Sequence, residues 1–207
     1  MNLMAVIGTP RKGGNTEILV DRIIEGYKSK TDAEVEVEKI MVIEKDIRYC
    51  TGCLSCTFPP PGTKKCVIDD DMAEILQKMT RCDAFIFGTP NHMRTVSSPL
   101  LTFFSRMLPL MEFIPDTNAE GNIIGGGFTS KLKNKKAAIV ISQGDPIFSS
   151  PLVYEVLERN LIDFGIRRVG DIISRGNMGP GDVIKKDADM AAAFELGKNL
   201  FNLAGMY

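Results

Sequence analysis

Four of the five cysteines lie close together in the sequence, in a spacing that suits a metal cluster. Cys50, Cys53 and Cys56 are separated by two residues each, and Cys66 follows after nine more. Three thiolates at this spacing in a glycine-containing loop can occupy three corners of a cubane, and a fourth thiolate completes the ligand set of a [4Fe–4S] cluster. We therefore predict that Cys50, Cys53, Cys56 and Cys66 bind such a cluster.

Two other interpretations of these cysteines stay open. Structural zinc generally uses two separated pairs of ligands, so three cysteines within seven residues would be unusual for it. In a reducing compartment, clustered thiols can also serve redox chemistry or structure without a metal. Lys64 and Lys65, beside the last of the four, would offset the negative charge of a cluster. The fifth cysteine, Cys82, begins a predicted buried strand and is interpreted as a core residue.

A second candidate site is the glycine-rich segment 8–16, Gly-Thr-Pro-Arg-Lys-Gly-Gly-Asn-Thr. The hydroxyls of Thr9 and Thr16, the amide of Asn15 and free backbone N–H groups would form a neutral cradle for a phosphate. A helix that starts here adds about half a unit of positive charge. Arg11 could hold the phosphate or cover one edge of a bound ring. The segment is neither a Walker loop nor a Gly-x-Gly-x-x-Gly turn, and the alternative is a plain turn in which Thr16 caps a helix.

Two further loops are predicted to complete this site. Segment 88–93, Gly-Thr-Pro-Asn-His-Met, follows a buried strand, and Thr89 and Pro90 fix its turn. Segment 142–146, Ser-Gln-Gly-Asp-Pro, follows the next buried strand and supplies a third wall. In a doubly wound sheet such loops meet at the carboxyl ends of the strands. The residues expected to face the rim of a planar ring are Asn91, His92 and Met93 from the first loop and Gln143 and Gly144 from the second.

The elements that position these loops alternate between strand and helix. Strands are predicted at 3–7, 35–40, 84–87, 137–142 and 169–173. Helices are predicted at 16–27, 72–79, 99–110, 152–164 and 188–203. This pattern indicates an α/β fold, a flavodoxin-like doubly wound five-stranded parallel sheet of order 2-1-3-4-5. We expect one domain over 1–207, with a cysteine-bearing loop at 45–69 (the cysteine segment) and a second long connection at 112–135.

Composition and charge limit the class of protein, its partners and its compartment. A chain of 207 residues that is 44% hydrophobic and carries a net charge of −1 suits one soluble domain, and it argues against a broad grip on nucleic acid or an anionic membrane. No stretch approaches the ~20 apolar residues that span a bilayer. Residues 2–8 lack the basic start of a signal peptide, so a cytoplasmic protein is expected. A single histidine excludes a His-rich metal site.

These motifs resemble those of two related groups of flavoproteins. Residues 8–16 are similar to the Gly-Ser-Pro-Arg-x-x-Ser-Asn-Thr phosphate loop of NAD(P)H-dependent FMN reductases, and residues 88–93 to their Gly-Ser-Pro-x-Tyr flavin loop. Residues 50–72 resemble the cysteine segment of iron–sulfur flavoproteins. Gly14 stands where serine is usual, and His92 where tyrosine is common. The resemblance implies FMN, with its phosphate held by Thr9, Arg11, Gly14, Asn15 and Thr16 and its ring by Thr89, Pro90, Asn91, His92 and Met93.

The same resemblance implies an oxidoreductase that passes single electrons from a donor such as ferredoxin, through the [4Fe–4S] cluster, to two-electron chemistry at the flavin. It also implies a homodimer or homotetramer. One alternative is an NAD(P)H-dependent reductase of FMN, quinones or another small-molecule acceptor, with the cysteines incidental. A second is a non-enzymatic binding module on the same fold. No nucleic-acid or membrane partner is expected.

Overall fold

Five parallel strands form the central sheet of the structure, a computed structural model that describes residues 1–57, 66–148 and 150–204. The strands of the chain are β1 (Asn2–Ile7), β2 (Glu36–Met41), β3 (Ala84–His92), β4 (Thr95–Val96), β5 (Met111–Thr117), β6 (Ile123–Ser130), β7 (Lys136–Ser142) and β8 (Arg167–Ser174). The parallel strands lie in the order β2-β1-β3-β7-β8. When only these five parallel strands are numbered along the chain, their order is 2-1-3-4-5. The predicted strand order is confirmed.

Helices cover both faces of this sheet. They are α1 (Asn15–Lys28), α2 (Met72–Arg81), α3 (Ser98–Ser105), α4 (Pro151–Asp163) and α5 (Asp187–Ala204). Strand β1 is buried on both sides: Leu3, Ala5 and Ile7 pack in the core shared with α1 and α5. Met4 and Val6 point the other way, into the core shared with α2, α3 and α4. Continuous apolar runs are expected for strands buried in this way.

Helix α1, which carries the phosphate-loop segment at its start, is held very closely by α5. A Cβ atom at Gly26 would lie 2.0 Å from the carbonyl oxygen of Phe194, and one at Gly197 would lie 2.0 Å from that of Ile23. Such distances leave no room for any side chain. The two backbones therefore touch, and the position of α1 relative to the sheet is fixed by close packing.

Helix α3 is shorter than the predicted helix at 99–110. It ends at Ser105, and a separate 3₁₀ turn follows at Leu108–Leu110. Pro109 explains the difference, because proline inside a helix removes a hydrogen bond and its ring clashes with the carbonyl four residues earlier. The prediction of a continuous helix was wrong at this end.

The long connection predicted at 112–135 contains two strands. Strands β5 and β6 pair antiparallel in a two-stranded sheet of their own, most of which is exposed. Pro115 and the triplet Gly125–Gly127 have low strand propensity, which hid this hairpin in the sequence. In the cysteine segment, residues 58–65, including Lys64 and Lys65, lie outside the described residues. Among the described residues, no helix is both long and apolar enough to cross a bilayer.

Candidate functional site

A cavity of about 300 Å³ opens where β1, β3 and β7 reach their carboxyl ends, and we call it the strand-end cavity. Every residue predicted from the sequence to hold the cofactor lines it, except Thr89 and Met93. Its walls consist of Thr9, Pro10, Arg11, Gly14, Asn15, Thr16, Pro90, Asn91, His92, Ser142, Gln143, Gly144, Asn177 and Met178.

One wall is the start of α1. Gly14 occupies the N-cap position and no side chain makes a capping hydrogen bond there, while the first helical bond runs from the Ile18 N–H to the Gly14 carbonyl. The N–H groups of the first turn therefore have no helical partner. Thr9 and Thr16 are buried beside them. Uncapped N–H groups and the positive end of the helix dipole make this wall a site for an anion such as a phosphate.

Asn15 lies in the cavity wall, but its amide is already engaged. Its Nδ2 donates to the Gly179 carbonyl (2.8 Å), and its Oδ1 accepts from the Val183 N–H (3.1 Å). Asn15 thus ties the loop after β8 to the start of α1, and its role in holding a phosphate stays a prediction. That loop brings Asn177 and Met178 into the cavity, and both were missed. The polar, glycine-rich run 176–181 at the end of a strand was the available indication.

The wall opposite α1 is a network of side chains. Asn91 Nδ2 donates to Gln143 Oε1 (3.1 Å) and to Ser150 Oγ (2.9 Å), and the Ser150 hydroxyl also donates to Gln143 Oε1. Gln143 Nε2 donates to the carbonyls of Asp145 and Phe148, both at 2.7 Å. Gln143 thus shapes the wall with its polar atoms already paired. Within the described residues, the buried Oδ1 atoms of Asn91 and Asn177 have no partner, so a ligand donor or an ordered water would complete them.

The structure does not bring Thr89 and Met93 into the cavity. Thr89 is fully buried; its Oγ1 accepts from the Ser97 N–H (3.1 Å) and its hydroxyl donates to the Pro90 carbonyl (2.9 Å). Thr89 and Pro90 lie within β3, so the prediction that they fix a turn was wrong. The Thr89 hydroxyl binds Ser97 just before α3 rather than facing the cavity. Met93 is 96% exposed, in the turn between β3 and β4. His92 lies at the exposed rim of the cavity.

The predicted metal ligands lie in the exposed cysteine segment. Cys50 and Cys53 are exposed and Cys56 and Cys66 half-buried, and among the described residues no three metal-ligating side chains converge on one point. Burial raises the pKa of the Cys56 thiol, and the neighbouring Cys66 and Cys50 raise it further. Hydrogen bonds from Ser55 lower the pKa of Cys53. Three of the four thiols are therefore electrostatic neighbours, but they do not form a closed metal site.

A buried ion pair anchors this segment to the core. The Arg106 guanidinium, 2% exposed, forms two bonds with the Asp70 carboxylate, Nη1–Oδ2 at 2.6 Å and Nη2–Oδ1 at 3.0 Å. It also donates to the Arg48 carbonyl (2.6 Å) and contacts Cys66 Sγ (3.6 Å). Burial raises the pKa of the Asp70 carboxyl, but bonds from Arg106 and two backbone N–H groups outweigh it and leave that pKa below its usual value. Nothing in the sequence marked this pair.

Cys82 behaves as a core residue. It is buried, its Sγ donates to the Lys78 carbonyl at 3.4 Å, and burial raises the pKa of its thiol to about 11. A thiol with so high a pKa is neutral near pH 7, which makes it a poor nucleophile and a poor metal ligand. The interpretation of Cys82 as part of the core is confirmed.

Known proteins resemble this chain in sequence and in fold. A family model described as NADPH-dependent FMN reductase matches residues 1–145. An iron–sulfur flavoprotein of Archaeoglobus fulgidus is 30% identical over 201 residues, 97% of this chain and 79% of the relative. A putative NAD(P)H-dependent FMN-containing oxidoreductase of Bacillus subtilis, YwqN, is 27% identical over 205 residues, 96% of this chain and 97% of the relative. The structure of NAD(P)H:quinone oxidoreductase from Methanothermobacter marburgensis has a similar fold, with a TM-score of 0.71, 18% identity and coverage of 97% and 98%.

Proposed function

This chain belongs to the NADPH-dependent FMN reductase family and is a flavin-dependent oxidoreductase, and we propose that it holds FMN in the strand-end cavity. The uncapped start of α1 is the observation that carries this proposal. Its unpaired N–H groups and buried threonines suit a phosphate, and Gly14 has no side chain to cover them.

The remaining walls suit the rest of the cofactor. Pro90, Asn91 and His92 on one side and Gly144 on the other would border the ring. The two unpaired acceptors, Oδ1 of Asn91 and of Asn177, would receive hydrogen bonds from cofactor donors. Bound FMN would supply hydride and single-electron chemistry, and the residues of the cavity would hold its phosphate and orient its ring.

We further propose that the cysteine segment binds a [4Fe–4S] cluster through Cys50, Cys53, Cys56 and Cys66. Four thiolates are the ligand set that such a cluster requires. The Arg106 guanidinium lies 3.6 Å from Cys66 Sγ and could donate a hydrogen bond to a sulfur of the bound cluster. The iron–sulfur flavoprotein relative supports the same assignment. Ferredoxin or a similar one-electron carrier would then be the donor.

A second candidate, an NAD(P)H-dependent reductase without a cluster, is favoured by a different observation. Within the described residues the thiols do not converge on a metal position, and the Bacillus subtilis relative is named for NAD(P)H dependence. In this case hydride would come from the nicotinamide, and a small molecule would be the acceptor. The predicted homodimer or homotetramer would be checked by sedimentation in either case.

An anaerobic preparation distinguishes these proposals. FMN, iron and acid-labile sulfide are measured per chain, and flavin bleaching is then followed after mixing with NADPH, NADH or reduced ferredoxin. Iron and sulfide at four each, with bleaching by ferredoxin that is lost in Cys53→Ser, supports the cluster. FMN without iron, with rapid bleaching by a nicotinamide, supports the second candidate. A protein that takes up no FMN would contradict both.

A further inference from the structure

The mouth of the strand-end cavity carries an unusual turn. Met93 and Arg94, the two residues between β3 and β4, have φ values of +49° and +65°. Two consecutive left-handed residues in a tight hairpin are the geometry for which Asn-Gly is favoured, because larger side chains are strained there. Glycine or asparagine would adopt this conformation with less strain. Strained residues of this kind cluster at functional sites. These side chains directly follow His92, which lines the cavity.

The facing loop is built to hold two apolar side chains in solvent. The Asp145 carboxylate accepts from the N–H groups of Ile147 (2.8 Å) and Phe148 (2.9 Å), and Gln143 Nε2 binds the Phe148 carbonyl. The loop is therefore fixed by specific bonds, yet Ile147 is 82% and Phe148 58% exposed. An ordered loop that presents large apolar side chains beside a cavity is typical of a binding surface.

The two loops meet across the mouth. The Arg94 guanidinium lies 5.1 Å from the centre of the Phe148 ring, within the range of a cation–π contact. Met178, 79% exposed, lines the cavity next to Gly144 and continues the apolar surface. The mouth thus combines an aromatic face, flexible thioethers and one cation. We define the acceptor rim as Met93, Arg94, Ile147, Phe148 and Met178.

We propose that the acceptor rim binds the second substrate, and that this substrate is a planar aromatic acceptor carrying a negative charge. The aromatic face of Phe148 and the methionines suit a planar apolar body. The Arg94 guanidinium suits an anionic substituent; Asp145 offsets part of its charge, but that carboxylate is occupied by two backbone N–H groups. This inference rests on the proposed FMN site, because the rim borders its mouth.

A quinone is one such substrate, and its reduction is a two-electron, two-proton step. The quinone gains two electrons and two protons, one hydride equivalent from the reduced flavin and one proton from solvent, and leaves as the hydroquinone. The rim residues take no part in this transfer. They set which acceptor reaches the flavin, and Arg94 is a specificity residue rather than a catalytic one.

A pair of matched quinones tests the proposal on the FMN-loaded protein. The flavin is reduced with dithionite under anaerobic conditions, and its reoxidation is followed at increasing 1,4-naphthoquinone-2-sulfonate or uncharged 1,4-naphthoquinone. In Arg94→Gln the half-saturating concentration of the sulfonate should rise 5- to 10-fold, and that of the uncharged quinone less than 2-fold. Phe148→Ala should raise both by similar factors. Arg159→Gln, the same change at an exposed site on α4, should alter neither.

Several outcomes would overturn the inference. They are equal changes for the two quinones in Arg94→Gln, no change at all, or the same change in Arg159→Gln. Arg94→Gly is an independent test. It should relieve the strain at this φ and so raise the denaturant midpoint of unfolding. It should also weaken sulfonate binding as much as Arg94→Gln does. A lower midpoint would contradict the strain argument. Failure to bind FMN would defeat the proposed function itself, whereas FMN binding with no discrimination between quinones would defeat only the acceptor rim.

Discussion

The strand-end cavity and the cysteine segment are stabilised in different ways. The cavity is made by three strand ends and a helix, and side-chain hydrogen bonds from Asn15, Asn91 and Gln143 fix its loops before any ligand arrives. The described residues of the cysteine segment belong to no helix or strand, and its thiols are exposed or half-buried. Arg106 ties this segment to the core: the buried guanidinium pairs with Asp70 and also binds the Arg48 carbonyl and contacts Cys66 Sγ.

The difference explains how each region responds to its cofactor. A site whose loops are already fixed by hydrogen bonds is preorganised, so binding costs little ordering of the chain. A segment that supplies four thiols without bringing them together would gain much of its order from a metal, as in proteins where metal binding and folding are coupled. We expect substitutions in the cavity to change binding and those at the ion pair to change the order of the cysteine segment.

The largest effect on the free energy of unfolding is expected for Arg106→Leu. Removal of this guanidinium leaves the Asp70 carboxylate buried without its partner, and such changes cost about 3 to 5 kcal/mol. Because backbone N–H groups of Arg48 and Met72 still bind Asp70, we expect about 3 kcal/mol, the lower end of that range. The free energy of unfolding from urea titration measures it. Proteolysis should cut first within the cysteine segment, while FMN affinity of the folded protein stays within a factor of about two.

The pH dependence of this variant gives a control. The pKa of Asp70 is lower in the folded protein than its usual value, so the ion pair contributes fully above the ordinary aspartate pKa of about 4. Its contribution is lost as the pH falls through the lowered value. The difference in stability between wild type and Arg106→Leu should therefore be constant near neutrality and shrink in strong acid. A constant difference down to pH 2 would rule out this role for the pair.

The two regions also differ in what the sequence reveals. Local patterns predicted the cavity: the apolar run 3–7, the loop 8–16 and the loop 88–93 each lie within a few residues, and the parallel topology brings them together. Asn177 was missed because nothing local connects it to Asn15, 162 residues away in the chain. The pair Arg106 and Asp70 was missed for the same reason. Long-range polar contacts depend on the folded arrangement and leave no period or motif in the sequence.

Thr89→Val should have the next largest effect on stability. It distinguishes a structural role of the Thr89 hydroxyl from a direct role in binding FMN. Valine keeps the shape of threonine but leaves the buried Ser97 N–H without an acceptor, at a cost of about 1 to 3 kcal/mol in unfolding free energy. Because Thr89 does not line the cavity, FMN affinity of the folded protein should change less than twofold. A variant of normal stability that loses FMN would instead make the Thr89 hydroxyl a direct ligand, as the sequence suggested.

Gly14→Leu tests whether the start of α1 is the phosphate site. Gly14 has φ of −80°, which any residue adopts, but a Cβ atom there would lie 3.1 Å from the Arg11 carbonyl, so leucine and serine should each lower the stability by a similar small amount. The leucine side chain would occupy the space over the first-turn N–H groups, and FMN affinity should fall at least tenfold, about 1.4 kcal/mol. The control is Gly14→Ser, whose small hydroxyl can join the cradle and should preserve affinity. Equal binding by the leucine variant would move the phosphate elsewhere.

The smallest effect on the fold is expected for Cys53→Ser, and this makes it the sharpest test of the comparison. Cys53 is exposed and its thiol bonds Ser55 and Thr51 in its own loop, so neither the free energy of unfolding nor FMN affinity should change. Loss of one thiolate should nevertheless lower iron and sulfide content in the anaerobic protein, because serine is a poor substitute for a cluster ligand. If iron is unaffected, Cys53 is not a ligand. If FMN is lost together with iron, the two regions are not independent, and the cavity depends on the cysteine segment for its shape.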